Sequence, residues 1–362
     1  MDDKEPIAGA DALRSVHTAS LPQLLHELSS SLLVTTYQAG KLIVVRENQG
    51  VVNTHFRVFD KPMGLAADAH GFALGCTRRV VHYANMPALS AKLDPPHRHD
   101  ACYLPRGEHV TGDIDVHELA RDDERNLWCV NTRFSCLCTF DADSSFVPRW
   151  RPGFVSALSP EDRCHLNGLA MVDGRPRYVT ALGATDTVQG WRENKRDGGL
   201  LIDVTSDTVV CDGLSMPHSP RWYADRLWVL ESGKGSLAYV DPASGKVHTL
   251  TELPGFTRGL DFLGPFAFVG LSQVRESALF SGLPLTEREA PRHSGVWVVD
   301  IRNGETVAFL RFEAAVQEIF AVSVLPGVRF PEVLEADDAR IANAYMLPDQ
   351  ALRDVPPERR SD

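Results

Sequence analysis

At residues 165–171 the chain reads HLNGLAM, a polar entry followed by a short apolar strand that begins with Gly-Leu. Five further segments share this shape: KPMGLAA at 61–67, DVHELAR at 115–121, MPHSPRW at 216–222, FTRGLDF at 256–262 and AVQEIFA at 315–321. Aligned, they place six residues at one equivalent position: Met63, His117, Asn167, His218, Arg258 and Gln317. The intervals are 54, 50, 51, 40 and 59 residues, near the roughly 40–50 residues of a four-stranded blade plus loop insertions. The spacing predicts an all-β, six-bladed β-propeller.

The stretches between these segments supply the other strands of each blade. After His117 the runs ELAR, NLWCVNT, SCLCTFD and SFVPRWR follow in order, bounded by turn-forming residues. After Gln317 only EIFAVSVLPGV remains as a full strand, whereas the N-terminal side offers SLLVTTY, KLIVVREN and VVNTHFRVF without an innermost partner. We therefore expect the two ends of the chain to share the sixth blade, which removes the exposed sheet edges.

The propeller is predicted to span residues 31–336. Residues 1–30 would form an N-terminal extension, in which the pattern from Ala12 to Ser30 indicates one amphipathic helix or turn. Residues 337–362 are charged and contain proline, and they would form a polar C-terminal tail whose last ten residues are expected to be disordered.

Composition limits the partners of the chain. The 362 residues carry a formal net charge of −11, which argues against a nucleic-acid footprint and against docking on anionic lipid. No apolar run approaches the roughly 20 residues of a membrane span, and the acidic N-terminus lacks the pattern of a secretory signal. These features predict a cytoplasmic protein that binds neither nucleic acid nor membranes. The seven cysteines fit this placement, and Cys136 and Cys138 are interpreted as small buried residues rather than a metal or redox pair.

A propeller brings the six equivalent residues together, because the first strand of each blade lines the central channel. The same mouth would receive two long loops between second and third strands, at 183–199 and 273–295. Long loops on a rigid scaffold are a usual place for function. Two imidazoles, a guanidinium and two carboxamides at one depth would be costly to dehydrate without partners or a ligand. The sequence thus predicts a small-molecule site at the axial mouth.

Histidines give this mouth its candidate chemistry. His117 and His218 are the first candidates for metal ligands or for general acid and base, and His165 is a possible third. A carboxylate could come from Asp115, Glu118 or Glu318, with Glu118 preferred. Two or three histidines with a carboxylate would suit a divalent metal such as Zn, Fe or Mn, and Ca is a further possibility. Alternatively, the imidazoles form hydrogen bonds with neighbouring blades or with water.

Arginines form a second constellation at the mouth. Arg258 in FTRGLD, Arg275 in SQVRES and Arg192 in GWRENK suggest an anionic substrate, since guanidinium groups bind carboxylate or phosphate through two hydrogen bonds. Each could instead pair with a nearby acid. Trp191 could stack on a ligand or anchor its loop. Asn167 and Gln317 are assigned to substrate orientation.

The strings TYQAGKL, PMGLA, HLNGLA, GWR, MPHSPRW and FTRGL together resemble a bacterial family of conserved hypothetical proteins of unknown function. The resemblance runs from about Thr35 to Glu318 and implies a propeller-like fold without an established activity. A looser resemblance at the level of the fold is to gluconolactonase- and strictosidine-synthase-type six-bladed propellers. Lactonases of that kind hold a divalent cation with Glu, Asn and Asp, whereas only Asn167 matches such chemistry here.

Two classes of function remain open from the sequence. The first is an enzyme acting on a polar or anionic metabolite as a hydrolase, lyase or isomerase, with or without a metal. The second is a non-catalytic ligand sensor or protein-binding platform, because a fold does not determine a function.

Overall fold

The computed structural model describes residues 12–274 and 281–356 of the chain. The described residues form six sheets that follow one another around a common axis, and each contains four neighbouring antiparallel strands, which are consecutive in the chain in five of the six sheets. The six-bladed β-propeller predicted from the repeat is confirmed. The blades are numbered here by the order of their innermost strands in the chain.

Strand boundaries follow the apolar runs of the sequence. The N-terminal segment contains β1 (Ser15–His17), α1 (Ser20–Glu27), β2 (Ser30–Thr36), β3 (Lys41–Asn48) and β4 (Val51–Val58). Blade 1 contains β5 (Leu65–Asp68), β6 (Gly71–Gly75), β7 (Arg79–Asn85), α2 (Pro87–Ser90) and β8 (Ala101–Val110). Blade 2 contains β9 (Val116–Arg121), β10 (Leu127–Asn131), β11 (Cys136–Thr139) and β12 (Val147–Trp150). Blade 3 contains β13 (Leu166–Val172), β14 (Arg175–Ala181), β15 (Gly199–Asp203) and β16 (Thr208–Leu214).

The remaining blades continue this pattern to the C-terminus. Blade 4 contains β17 (Pro217–Tyr223), β18 (Arg226–Glu231), β19 (Ser236–Val240) and β20 (Val247–Glu252). Blade 5 contains β21 (Phe256–Leu263), β22 (Phe266–Ser272), β23 (Ser294–Asp300) and β24 (Thr306–Phe312). The C-terminal segment contains β25 (Ala321–Pro326), β26 (Pro331–Val333), a 3-10 turn (Ala339–Asn343) and α3 (Asp349–Leu352).

Blade 6 is built from both ends of the chain, in the order β25-β2-β3-β4. Strand β25 is innermost and pairs with β2 so that Val322 lies opposite Val34. The C-terminal strand and the three N-terminal strands expected from the sequence therefore form one sheet. The pairing closes the ring by antiparallel hydrogen bonds between distant parts of the chain.

The terminal segments differ from the expected boundaries. The helix covers only Ser20–Glu27, and Ser15–His17 instead forms strand β1 on the outer edge of blade 5, with Val16 opposite Arg311. At the other end β26 pairs in parallel with β8, so the C-terminal segment extends the sheet of blade 1. Both additions cover outer strand edges that would otherwise expose unpaired backbone groups.

The innermost strands approach one another so closely that glycine is required near the axis. A Cβ on Gly168 would lie 2.3 Å from Cδ of Pro220 in the next blade. Gly259 has a φ of +83°, and a Cβ there would lie 2.8 Å from the backbone N of Val322. The Gly-Leu start of the repeated segments therefore reflects close packing between blades.

All seven cysteines are buried free thiols. Cys138 lies opposite Cys129 on neighbouring strands, and burial raises the pKa of Cys136 well above its ordinary value. The interpretation of Cys136 and Cys138 as small buried residues agrees with this placement. In the two described ranges, no helix combines the length and apolar character needed to cross a membrane.

Glu332 on the C-terminal strand β26 forms ion pairs with side chains of β4 in blade 6. Its Oε1 lies 2.8 Å from Nη2 of Arg57 and 3.2 Å from Nε2 of His55. Burial alone would raise the pKa of Glu332, but His55 and Arg57 outweigh that effect and lower it to about 2. The charged carboxylate therefore stabilises the folded chain.

Glu332→Gln is expected to lower the free energy of unfolding at pH 7 by about 2 kcal/mol. Because the pKa of Glu332 is lower in the folded chain than in the unfolded chain, its contribution is complete above about pH 5 and is lost as the pH falls towards 2. Urea unfolding at pH 7, 5 and 3 measures this difference, which should shrink with acidification. Glu335→Gln, at an exposed neighbouring position, serves as the control. An equal loss at pH 3 and pH 7 would contradict the assignment.

Candidate functional site

A cavity of about 220 Å³ opens at the end of the axis where the innermost strands begin. Two rings of side chains line it. The first ring contains the aligned residues Met63, His117, His218 and Arg258, together with Phe320. The second ring lies two residues earlier in each blade and contains Lys61, Asp115, His165, Met216, Phe256 and Glu318. Five of the six chain entries therefore direct two side chains, two residues apart, into the cavity, and the entry to blade 3 directs only His165 into it.

The second ring depends on a repeated backbone turn. In blades 1 to 4 its residues adopt left-handed backbone conformations, with φ values of 52°, 54°, 49° and 45°. This region is sparsely populated by residues other than glycine. Its recurrence at one position in four blades identifies it as part of the repeat.

The placement of Gln317 in the first ring is wrong, because Phe320 occupies that position. In three blades a hydroxyl at the end of the second strand donates to the carbonyl immediately before the ring residue. These hydrogen bonds are Thr132 to Leu166, Ser232 to Thr257 and Ser272 to Ile319, at 2.6, 2.5 and 3.1 Å. The hydrogen bond that marks Asn167 and Arg258 as first-ring residues therefore marks Phe320 as the first-ring residue of blade 6. Gln317 lies outside the lining, with its backbone bonded to Gln38 and Gln273.

Glu118 lies apart from the two histidines with which it was predicted to bind a metal. It follows His117 on β9 and points to the other face of the strand, where Arg221 of blade 4 binds both carboxylate oxygens at 2.8 and 3.3 Å. Burial raises the pKa of Glu118 against the attraction of Arg221. Within residues 12–274 and 281–356, no group of three or more His, Cys, Asp or Glu side chains is placed to hold a metal ion.

Asn167 lies behind the cavity wall rather than in it. The side chain is 2% exposed, and its Oδ1 accepts a hydrogen bond of 2.6 Å from Thr180 of the neighbouring strand. Its Nδ2 has no hydrogen-bond partner among the described residues. Direct orientation of a substrate by Asn167 is therefore not supported by its position.

The two long loops pack together over the mouth, as the sequence suggested. Trp191 from the first loop is 3% exposed and shares an apolar cluster with Val274, Leu283 and Leu285 of the second. An ion pair of 2.6 Å between Arg196 and Glu287 also joins the loops.

The predicted residues of these loops fall in different places. Trp191 and Arg192 both line the cavity, and the Arg192 guanidinium lies 4.6 Å above the Trp191 ring. Trp191 therefore anchors its loop and forms a wall of the cavity. Arg275 lies outside the described residues.

His117 is a neutral imidazole with both ring nitrogens engaged. The Thr132 hydroxyl already donates to Leu166, so the Thr132 oxygen accepts from Nδ1–H of His117 at 2.9 Å. On the other side, Nε2 accepts a hydrogen bond from Arg258. Burial and the Arg258 charge hold the pKa of His117 well below its ordinary value. In this arrangement, the nitrogen that a metal would use is occupied by Arg258.

His218 lies two blades further along the chain, on β17. Its Nδ1 is held as in His117, but its Nε2 is open. Its Nδ1 lies 3.0 Å from the carbonyl of Met216 and 2.9 Å from the Ser232 hydroxyl, so Nδ1 carries the proton. Burial and then Arg258 lower the pKa of His218 well below its ordinary value. No described residue forms a hydrogen bond with Nε2, which is therefore available to a ligand.

Arg258 is a buried cation of the site without a direct ion pair among the described residues, although Asp115 and Glu118 attract it at longer range. Burial lowers its pKa to about 10, so the guanidinium remains charged at neutral pH. It lies 3.7 Å above the ring of Phe320, and its hydrogen bond to the described protein goes to His117. No carboxylate of the described residues lies within ion-pair distance of it. A buried guanidinium without an anionic partner is costly.

Two acidic side chains of the cavity have direct partners within it. Lys61 Nζ lies 2.9 Å from Asp115 Oδ1, and this ammonium outweighs burial and lowers the pKa of Asp115. Tyr37 donates a hydrogen bond to Glu318, whose pKa is raised by burial. The net charge near Arg258 is therefore positive, although the chain as a whole is acidic.

A larger cavity, of about 920 Å³, lies away from the mouth beneath blades 1 to 3. Its charges balance, with Arg121, Arg149 and Arg175 facing Asp122 and Asp141 among other acids. It lacks the convergence of buried imidazoles and an unpaired cation that marks the mouth. We therefore place the candidate site at the smaller cavity.

Sequence reasoning missed Tyr37, Lys61, Phe320 and Asp162, the carboxylate that contacts His165. A signal for Lys61 exists in the repeat, since it stands two residues before Met63 just as His165 stands before Asn167. No pattern indicates Tyr37, because it reaches the mouth from the loop after the second strand of blade 6.

The comparisons with known proteins assign no activity to this chain. A family model described as "Domain of unknown function (DUF4915)" matches residues 19–334. A search of curated proteins found no match. Among solved structures, a chain of a nidogen/laminin complex is 11% identical with a TM-score of 0.53, covering 83% of this chain and 99% of that one.

Two further structures show how distant these likenesses are. A protein of unknown function from Bacteroides caccae is 9% identical, with a TM-score of 0.51 and coverage of 82% and 98%. Virginiamycin B lyase from Staphylococcus aureus is 9% identical, with a TM-score of 0.39 and coverage of 76% and 74%. At such identities the likeness concerns the fold alone, and the last score supports no argument about chemistry.

Proposed function

Because this chain belongs to the DUF4915 family of unknown function, we propose a function from the geometry of its axial cavity. The protein is proposed to be an enzyme that binds a small anionic metabolite through Arg258 and transfers a proton with His218. The observation that carries this proposal is the buried, charged Arg258 beside a neutral imidazole with an open Nε2. The earlier prediction of a cytoplasmic location stays a prediction.

Arg258 suits a carboxylate or a phosphate. The Phe320 ring fixes the plane of the guanidinium, and His117 takes one of its donors. The remaining donors can bind two oxygens of an anion in parallel. The volume of about 220 Å³ is below the roughly 300–1,000 Å³ typical of pockets for drug-sized ligands. A small metabolite therefore fits better than a nucleotide.

Neutral imidazoles favour proton transfer as the reaction. A general base must be unprotonated at the working pH, and the lowered pKa of His218 meets that condition. His165 lines the same cavity and offers a second ring. In the elimination or isomerisation of an acid, one base removes a proton and another group returns it. These reactions fit the groups of the cavity better than hydrolysis, which was also considered from the sequence.

Binding is tested by thermal melting of the purified chain with a panel of small mono- and dicarboxylates and phosphate monoesters. A ligand at 100 times its Kd stabilises the folded state by about 2.7 kcal/mol, which raises the Tm by several degrees. Arg258→Met should abolish the shift. Arg226→Met is the matched control, because Arg226 also lies over an aromatic ring, at 4.9 Å from Tyr239, but far from the mouth.

The panel separates the alternatives. Shifts by carboxylates alone or phosphates alone identify the anion, and shifts that survive in Arg258→Met contradict the proposal. Incorporation of deuterium from D₂O beside the acid group of a bound ligand, followed by NMR, reports proton transfer. Binding without exchange or turnover would favour the sensor or platform instead.

The same samples test whether His117 and His218 bind a divalent metal, as the sequence suggested. Metal analysis of the wild-type chain, His117→Ala and His218→Ala is expected to show equal, background content, because Arg258 occupies Nε2 of His117 and Arg221 binds Glu118. A stoichiometric metal that is lost in both variants would contradict this expectation.

A further inference from the structure

We infer that Asp162 is a positioning residue that fixes the tautomer of His165 and connects it to the loop at residues 183–199, called here the covering loop. The inference rests on the proposed proton transfer for its functional meaning. Its structural content can be measured without a substrate.

The carboxylate of Asp162 contacts both the imidazole of His165 and the indole of Trp191. Nδ1 of His165 lies 2.9 Å from Oδ1 and 3.0 Å from Oδ2 of Asp162, and Nε1 of Trp191 donates to Oδ2 at 3.1 Å. The Trp191 ring also packs on the His165 ring, with centroids 4.5 Å apart. The side chains of Asp162 and His165 are only 17% and 15% exposed, so little water competes for these contacts.

The backbone is shaped to hold this arrangement. Asp162 and His165 both adopt left-handed conformations, with φ values of 50° and 49°. Between them, Arg163 forms an ion pair of 2.6 Å with Asp186 of the covering loop. The backbone N of Gln189 bonds to the carbonyl of Glu161 at 3.1 Å. The segment before β13 and the covering loop are therefore joined on both sides of Asp162.

The chemistry of a carboxylate decides the tautomer. An ionised carboxylate only accepts hydrogen bonds, so Nδ1 of His165 carries the proton. In the neutral ring, Nε2 then carries the free lone pair, and His165 is among the residues that line the cavity. This is the state of a general base, and the same carboxylate stabilises the imidazolium once a proton has been taken.

Asp162→Asn tests the inference with little change of shape, because asparagine tolerates the left-handed region. The Asn oxygen can accept from Trp191 while its amide donates to Nδ1 of His165, which moves the imidazole proton to Nε2. Nitrogen-15 NMR of the ligand-free chain distinguishes the two tautomers. In a turnover assay kcat should fall by about 10-fold or more with KM little changed.

Asp186→Asn is the matched control, since Asp186 anchors the same loop through Arg163 without touching His165. It should leave the tautomer of His165 unchanged. The wild-type spectrum is itself a test, and an Nε2–H tautomer there would overturn the inference even if Asp162→Asn failed to fold. An unchanged tautomer in folded Asp162→Asn would overturn it as well. A tautomer change in a chain that binds no panel anion would support the inference while the proposed function fails.

Discussion

Replacing Glu118 by alanine is expected to lower the free energy of unfolding by about 3 kcal/mol. Arg221 reaches from β17 past the carbonyl of Leu169 on β13 to Glu118 on β9, so one ion pair spans three blades inside the channel. The variant would leave the Arg221 guanidinium without the carboxylate that binds it twice. Arg221 keeps 25% of its side chain exposed against 7% for Glu118, so the expected cost is at the lower end for buried pairs.

Urea unfolding of Glu118→Ala, Arg221→Met and the double variant measures this effect as a double-mutant cycle. The double variant should lose less than Glu118→Ala alone, because it also removes the guanidinium that Glu118→Ala leaves without its carboxylate partner. Glu118→Gln should lie between wild type and Glu118→Ala, since its amide oxygen still accepts from Arg221. A cost below about 1 kcal/mol for Glu118→Ala would show that water already compensates Arg221.

The propeller could be predicted from the sequence because it repeats a local pattern. A Gly-Leu strand start, as at Gly168, recurs because inner strands leave no space for a Cβ beside the next blade. Closure of blade 6 followed from counting strands at the two ends. The terminal strands β1 and β26 could not be predicted in this way, because three residues carry too little periodicity and their pairing depends on distant edges.

The site was predicted in part because the repeat aligns one residue of each blade at the mouth. That alignment identified His117, His218 and Arg258, and His165 was a candidate as a neighbour of the aligned Asn167. Gln317 was misplaced because Gln-Glu-Ile, which begins at Gln317, resembles His-Glu-Leu of blade 2. The correct match is Phe320, which is followed by a small residue and then an apolar one, as Arg258 is.

The partners of the site could not be predicted from the sequence, because they come from other blades. The pairing of Glu118 with Arg221, 103 positions away, removes that carboxylate from the mouth. The contact of His117 with Arg258, 141 positions away, likewise decides which imidazole keeps a free nitrogen. Only the tertiary structure brings these groups into contact.

His218→Gln is expected to lower the kcat of proton transfer by about 10²- to 10⁴-fold. The open Nε2 of His218 is the acid–base atom in the proposal, and glutamine can still bond to Ser232 but cannot take up a proton. Anion binding by Arg258 should persist, so the melting shift with the same ligand should remain. Deuterium exchange into the bound acid measures kcat. His248→Gln, which removes an imidazole stacked on Tyr239 at 5.0 Å on an outer strand, is the control and should leave kcat unchanged.

The pH dependence of kcat separates His218 from an ordinary histidine base. Because burial and Arg258 lower its pKa well below 6.5, His218 stays neutral and able to accept a proton at pH values where an exposed imidazole is already protonated. The rate should therefore remain level from pH 8 to below pH 6.5 and fall only at more acidic pH. The residual rate of His218→Gln should lack that acidic limb. A wild-type rate that halves near or above pH 6.5 would mean that another, more basic group takes the proton, and the role given to His218 would be wrong.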